Sequence, residues 1–459
     1  LATKCALGDG WGGSMIATDL SDILYGTPVP ILGKVNLGCM KEDTVNIIVH
    51  GHEPSLSEII VQAVQDPEMI AYAKSKGATG GISLGGICCT ANEILMRHGV
   101  PVAGNFLQQE LAVATGAVEA MVVDIQCIMP ALGALAGCFH TKFISTSPKA
   151  KFPGATHMEF HEQTAMQTAK AIVETAVLNY ASRNPAKVHI PNIKTKCMVG
   201  FSVEAIVSAL GGSLDPLLGA IKSGAIRGLG AVVGCNNPKI VHDWGHVNLV
   251  KELIKKDVLV VTTGCNALAC AKAGLLLPEA ADMAGEGLKG VCKALGVPPV
   301  LHMGSCVDIS RILVAAAAIA NALGVDISDL PAAAAAPEWM SEKALSIGTY
   351  CMASGAYVIF GGASPVGGMP DRVSDSDIVL RYIGSEGWEK LYGGKLEFIP
   401  DPDEMIRLTL EHIDKKRAAL GLPVYESTRF GRSGDQRMLE LENLPLTERR
   451  KQIYGVAAD

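Results

Sequence analysis

Short β-branched runs that stop at a cysteine or histidine constrain this chain more than any other feature. Val45 to Val49 (VNIIV), Ala120 to Asp124 (AMVVD), Leu229 to Val233 (LGAVV) and Asp257 to Thr262 (DVLVVT) read as buried strands. Between them, Ser55 to Gln65, Thr164 to Tyr180 and Ser310 to Leu323 carry apolar residues at three- and four-residue spacing and read as helices. Such alternation builds βαβ units, and hence parallel sheets covered on both faces. The expected fold class is α/β, with two doubly wound, Rossmann-like parallel-sheet domains.

With 459 residues the chain is long enough for more than one core. The segment Tyr180 to Lys196 (YASRNPAKVHIPNIKTK) is polar and carries Pro185 and Pro191, as linkers often do. A boundary there gives a first domain over 29–187 and a second over 188–424. Beyond Leu420 the sequence turns charged and loses helical regularity, so 425–459 reads as a tail that wraps a surface or a partner. Of two alanine-rich stretches, Ala315 to Ala322 reads as close helix packing and Ala332 to Ala336 as a proline-bounded connector.

Composition excludes several classes. The net charge is -7 and no segment gathers basic side chains, which argues against nucleic acid as a partner. The longest apolar stretch, Ile312 to Val325, is interrupted by Asn321 and too short to span a bilayer. The chain opens on Leu1 with no charged-then-apolar signal layout, so its true start is expected upstream. Thirteen cysteines, an odd number in a long chain, fit reduced thiols in a cytoplasm better than a disulfide scaffold.

Ligands of open parallel sheets bind beyond the carboxyl ends of the strands. VNIIVHGH ends in His52, GISLGGICC in Cys89, AMVVDIQC in Cys127, GLGAVVGC in Cys235, DVLVVTTGC in Cys265 and PPVLHMGSC in Cys306. One cysteine at a strand end is more often a small core residue than a ligand. Six such positions reverse that expectation. Five thiolates with an imidazole exceed the four ligands of structural zinc, and their spacing is not that of a zinc knuckle. Thiolate-rich sets favour soft metals and iron–sulfur clusters. If the two domains face each other through the carboxyl edges of their sheets, the six residues line a metal-cluster cleft.

The strings VNIIVHGHEPSLSE, GISLGGICCTANEILMRHG, AMVVDIQCIMP, IPNIKTK, GCNN, VVTTGC, VLHMGSCVD and SEKALSIGTY resemble the anaerobic nickel–iron carbon monoxide dehydrogenases, in the family's order, from about Asp9 to Leu422. The tail after Leu422 is more similar to the form joined to acetyl-CoA synthase. The resemblance implies that CO and water are converted to CO2, two protons and two electrons, or the reverse, at a nickel–iron–sulfur cluster. It implies that His52 and Cys89 hold a pendant iron, that Cys127, Cys235 and Cys265 hold irons of the cubane part, and that Cys306 holds nickel. It nominates Lys343 for acid–base help, Ile347 as a wall of the CO pocket and Asp9 as an acid behind the ligands. Residues 1–28 resemble the end of a helical domain otherwise missing from the chain, which in the family carries further 4Fe-4S clusters and a proton-transfer histidine. Expected partners are a second copy in a homodimer, a redox protein such as ferredoxin, acetyl-CoA synthase, and a chain bearing that cluster domain.

Other features compete for attention. Cys88 neighbours a ligand but, by strand alternation, is expected to point away. His50 shares a strand face with His52, so a hydrogen-bonding role behind the ligands competes with simple burial. Gly228, Gly230 and Gly234 imitate a dinucleotide loop, but the segment runs on into a strand instead of opening a helix. His242 and His246 read as surface polar structure. The competing functions are a hydroxylamine-reducing hybrid-cluster protein, which requires carboxylate ligands, and a catalytically silent scaffold that binds acetyl-CoA synthase.

Overall fold

The computed structural model describes residues 2–135, 137–362, 389–390, 393–425, 443–445, 448 and 451–453. Most of the charged tail expected over 425–459 lies outside them. The chain divides into two compact units, Ser21–Val199 and Leu1–Leu20 with Gly200–Asp459.

The Ser21–Val199 unit is built on eight strands: β1 (Ile31–Val35), β2 (Thr44–Gly51), β3 (Gly81–Ile87), β4 (Val102–Gly104), β5 (Val118–Val123), β6 (Lys142–Ser145), β7 (Ala155–His157) and β8 (Thr195–Val199). Their order is β7-β6-β5-β2-β3-β4-β1-β8, parallel except for the antiparallel β1–β8 pair. From β2 the chain winds one way through β3 and β4, then the other way through β5, β6 and β7. The strand order therefore reverses between β2 and β5, and such a switch point is where doubly wound sheets bind ligands. Every residue of β2 is buried. One face of the sheet packs on the helices Pro54–Gln65 and Ala165–Asn179 through Ile47, Val49, Ile60, Ile172 and Val173. The first of these helices starts sharply because Pro54 sits at its first turn and the Glu53 carboxylate accepts from the backbone N–H groups of Ser55 and Leu56.

Strand β8 corrects the expected boundary. Residues 195–199 fall within the predicted second domain, yet Thr195 to Val199 pair with Val35 to Ile31 in the first sheet. The polar stretch before it is pinned rather than loose. Arg183 donates to both oxygens of the buried Glu119 at 2.7 Å and to the carbonyls of Thr44 and Ala117, which are backbone groups a strand end leaves without ladder partners.

The other unit carries a fully parallel sheet of β9 (Gly228–Val232), β10 (Val258–Thr263), β11 (Val300–Gly304), β12 (Ala332–Ala336), β13 (Tyr357–Gly361) and β14 (Lys395–Ile399), in the order β11-β10-β9-β12-β13-β14. Here the winding reverses between β9 and β12. The expected connector Ala332 to Ala336 is in fact β12, a central strand paired with β9 and β13. Alanine has little intrinsic preference for strands, but a strand buried between neighbours is decided by packing. Gly228 and Gly230 lie inside β9, as expected of a strand rather than a phosphate loop. Residues 2–25 are helical, and the segment up to Leu20 packs on this unit rather than standing apart: Ser14 donates to the Val307 carbonyl at 2.9 Å and Thr18 to the Asp308 carboxylate at 2.9 Å. No described helix is long and apolar enough to cross a membrane.

The helix Pro402–Ala419 places His412 against the Tyr357 ring, 4.5 Å between centroids. Burial, with Lys416, Lys415 and Lys395 nearby, pushes its pKa down to about 3. A histidine depressed in the folded state contributes stability above its unfolded pKa, near 6.5, which is lost as pH falls toward the folded value. His412→Phe is expected to remove this contribution, so its urea midpoint should fall less than that of the unaltered protein between pH 6.5 and 4. Equal slopes would show that His412 titrates normally.

Candidate metal centre

In each unit three candidate ligands follow the carboxyl ends of parallel strands, on β2, β5 and β3 at and next to the first switch point and on β9, β10 and β11 running from the second switch point to the sheet edge. His52 is the residue after β2, Cys89 lies two past β3 and Cys127 four past β5. In the other unit Cys235 lies three past β9, Cys265 two past β10 and Cys306 two past β11. All thirteen cysteines are outside disulfides.

Around His52 the backbone is tightly specified. Its N–H donates to the Asp124 carboxylate at 2.6 Å, and its ring Nδ1 lies 3.1 Å from the Ile125 carbonyl. A carbonyl only accepts, so Nδ1 carries the proton and Nε2 presents its lone pair, the tautomer that a metal-binding histidine needs. That Nε2 stands 3.8 Å from Cys127 Sγ. Gly51 precedes His52 at φ 139, where a Cβ would collide with Asp124. Asp124 also accepts from Thr90 at 3.0 Å and from the Ile125 N–H, while burial pushes its pKa up to about 7.

Cys127 and Gln126 both have left-handed backbones, at φ 55 and 62. The Cys127 thiol is held well below the ordinary thiol range, first by a hydrogen bond from Cys88 and then by His52, against the opposing effect of burial. Cys88 thus corrects the expectation from strand alternation. Strand β3 stops at Ile87, and Cys88, at φ 64, opens the helix Cys88–His98, so the strand rule no longer sets its direction.

In the other unit Cys235 Sγ lies 3.3 Å from the Ser341 hydroxyl. Gly264, at φ 63, faces Cys306 so closely that a Cβ there would overlap its Sγ. His246, expected at the surface, is fully buried, and its Nε2 reaches the Cys235 carbonyl at 2.7 Å. Glu338 accepts from the N–H groups of Gly245 and His246 and so starts the helix Trp244–Lys255. Burial pushes the Glu338 pKa up to about 8. Asp124, Ser341, Glu338 and Gln109, whose Oε1 accepts from the Met129 N–H at 3.0 Å, are not legible in the sequence as neighbours of the candidate ligands. An acid ending the strand AMVVD was the available signal for the first, and nothing local marked the others.

Lys343 is half-buried in the first turn of the helix Glu342–Ala353, and Ile347, one turn on, is half-buried against the core around Met352 and Phe360. Asp9 is exposed on the helix Ala2–Gly10, which packs on the Lys343 helix with Gly10 against the Tyr350 ring. Among the described residues no three His, Cys, Asp or Glu side chains are gathered closely enough to hold a metal ion. The donor chemistry nevertheless fits an iron–sulfur group: reduced thiols and a correctly tautomeric imidazole at strand ends, with left-handed backbone positions that let main-chain amides approach.

The model of the Prismane/CO dehydrogenase family matches residues 1–376. The chain belongs to that family. It is 64% identical over 419 residues to carbon monoxide dehydrogenase 1 of Methanosarcina mazei, covering 91% of this chain and 65% of that protein. It is 43% identical over 440 residues to the carbon monoxide dehydrogenase/acetyl-CoA synthase subunit beta of Moorella thermoacetica, covering 92% of this chain and 63% of that one. A nickel-free crystal structure of the carbon monoxide dehydrogenase of Thermococcus sp. AM4 superposes with a TM-score of 0.87 at 55% identity, over 91% of this chain and 65% of that one. This Prismane/CO dehydrogenase family chain thus spans just under two thirds of the length of these relatives.

Proposed function

We propose that the chain oxidises carbon monoxide with water to carbon dioxide, two protons and two electrons, and runs the reverse reduction. His52, Cys89, Cys127, Cys235, Cys265 and Cys306 would hold one nickel–iron–sulfur cluster. The observation that carries the reading is the arrival of six soft or imidazole donors just past the carboxyl ends of six parallel strands, in a chain 64% identical to a carbon monoxide dehydrogenase. When bound, such a cluster supplies a soft metal for CO, a Lewis acid for water and a reservoir for electrons.

The protein's own part is positioning and proton handling. His52 is locked in one tautomer by the Ile125 carbonyl. Lys343 would accept a proton from the reacting water, since a lysine ammonium beside other positive charge has a lowered pKa. Ile347 would give the CO pocket an apolar wall, and exposed Asp9 would pass protons to bulk water. A ferredoxin-like redox protein, a second copy of the chain and acetyl-CoA synthase are the proposed partners, in the cytoplasm.

The test is anaerobic reconstitution with iron, sulfide and nickel followed by exposure to CO. One nickel per chain and a CO-dependent loss of visible absorption are expected. Iron uptake without nickel, and no response to CO, would favour the hybrid-cluster reading instead.

A further inference from the structure

We infer that His50 and His246 are matched positioning residues, each donating its Nε2–H from a buried ring to the backbone carbonyl of a cluster cysteine, Cys127 in one unit and Cys235 in the other. The inference rests on the proposed assignment of those cysteines as ligands.

His50 occupies the penultimate position of β2 and is fully buried. Its Nε2 lies 2.9 Å from the Cys127 carbonyl and 3.1 Å from Gln109 Oε1. Both partners are acceptors, because Gln109 Nε2 is already committed to the carbonyls of Phe106 and Cys127 and Oε1 accepts from the Met129 N–H. Nε2 of His50 therefore carries the proton, and its buried Nδ1 has no hydrogen-bond partner among the described residues. His246 sits in the first turn of the helix Trp244–Lys255, also fully buried, with Nε2 2.7 Å from the Cys235 carbonyl and Nδ1 again without a partner among the described residues. One histidine comes from a strand and the other from a helix, in different sheets. Both use the same nitrogen on the same type of acceptor.

The cysteines need such support. Cys127 lies four residues beyond β5 in a turn where Gln126 and Cys127 adopt a left-handed backbone, a conformation that non-glycine residues leave unless neighbours hold them. Cys235 follows Gly234, at φ 107, three residues beyond β9. A donor on the carbonyl fixes the plane of the peptide after the cysteine, and with it the direction of the Cα–Cβ bond and the sulfur. A group that orients a ligand without touching the metal still matters to binding, typically by about 10–100-fold in affinity. Cluster potentials also respond to nearby hydrogen bonds and dipoles.

The experiment compares the unaltered chain with His50→Leu, His246→Leu, and the corresponding His50→Gln and His246→Gln, whose side-chain amide can still donate. Each is reconstituted anaerobically with iron, sulfide and nickel. Thermal unfolding, the rate of iron loss to a chelator and the reduction potential of the cluster are then measured. The leucine variants are expected to fold, to lose iron about 10–100-fold faster and to shift the potential, with glutamine restoring most of both. Folded leucine variants that keep iron and potential unchanged overturn the inference, as does glutamine behaving like leucine. If a leucine variant fails to fold, its glutamine counterpart decides: it supports the inference by keeping iron and potential near those of the unaltered protein, and overturns it by losing iron as fast as a ligand variant, Cys127→Ala or Cys235→Ala. An unaltered chain that takes up iron but no nickel counts against the proposed activity while the comparison stands on iron alone; one that takes up no iron overturns both.

Discussion

Cys306→Ala is expected to strip nickel from the reconstituted protein while most of the iron stays, and to lower CO oxidation roughly a thousandfold or more, the scale on which loss of an essential active-site group acts. The loop around residue 306 is held by several contacts other than the thiol. Asp308 accepts from the Ser305 N–H at 2.7 Å and from Thr18 at 2.9 Å, and pairs with Arg311 at 3.3 Å. Gly304, at φ 132, leaves room for that carboxylate, and Ser14 holds the Val307 carbonyl. With these contacts intact, removing one sulfur should leave the fold unchanged, and the loss should be read in the metal content. The check is nickel and iron analysis beside circular dichroism. Iron and nickel falling together in a folded protein would mean that Cys306 holds the cluster as a whole; nickel retained in full would remove it from the nickel site.

What the sequence disclosed and what it hid divide along a physical line. The strand-end positions of the candidate ligands were legible because a buried β-branched run followed by a polar or soft residue is a local pattern, and β2, β5, β9 and β10 all carry it. Features decided by distant neighbours were not. Ala332 to Ala336 looks like a connector until Gly230 and Ala231 of β9 are set beside it, where small side chains meet small side chains. His246 looks like surface in HDWGH because the carboxylate that caps its helix, Glu338, stands far along the chain. Strand β8 was hidden because only Thr195 and Lys196 of it fall in the polar, proline-bearing stretch, and the partner that makes it a strand, β1, stands far back along the chain. Cys88 was judged by a strand rule one residue after the strand had ended. The loops after the strands are shaped by such distant contacts, so the strand-end positions of the candidate donors were readable while what surrounds them was not.

The largest stability effect is expected from Lys272→Met, at about 3–5 kcal/mol, the range for breaking a buried ion pair from one side. Lys272 ends the helix Gly264–Lys272, which begins beside Cys265, and its ammonium lies 2.5 Å from Asp243 and 3.1 Å from His242 Nε2. Asp243 is fully buried, and Asn236 donates through one amide to both Asp243 and Glu338, at 2.9 and 2.8 Å. Methionine fills the space of the lysine stem but removes the ammonium that faces Asp243, in a pair of buried carboxyl groups linked by that amide. Glu338, with a folded pKa of about 8 against an ordinary value of 4.5, sets the pH dependence. A carboxyl raised in the folded state contributes stability below its unfolded pKa and loses it as pH rises through the folded one. The Lys272→Met deficit should therefore be greatest above pH 8 and shrink toward pH 5, where a protonated Glu338 relieves the repulsion. Adding Asp243→Asn should recover part of the loss at pH 8, since a buried pair replaced on both sides costs little. Urea unfolding followed by tryptophan fluorescence reads this directly, because Trp244 adjoins Asp243 and Trp339 adjoins Glu338. A midpoint unchanged at pH 8, or a deficit that grows as pH falls, would show that the carboxylates are already neutralised without Lys272.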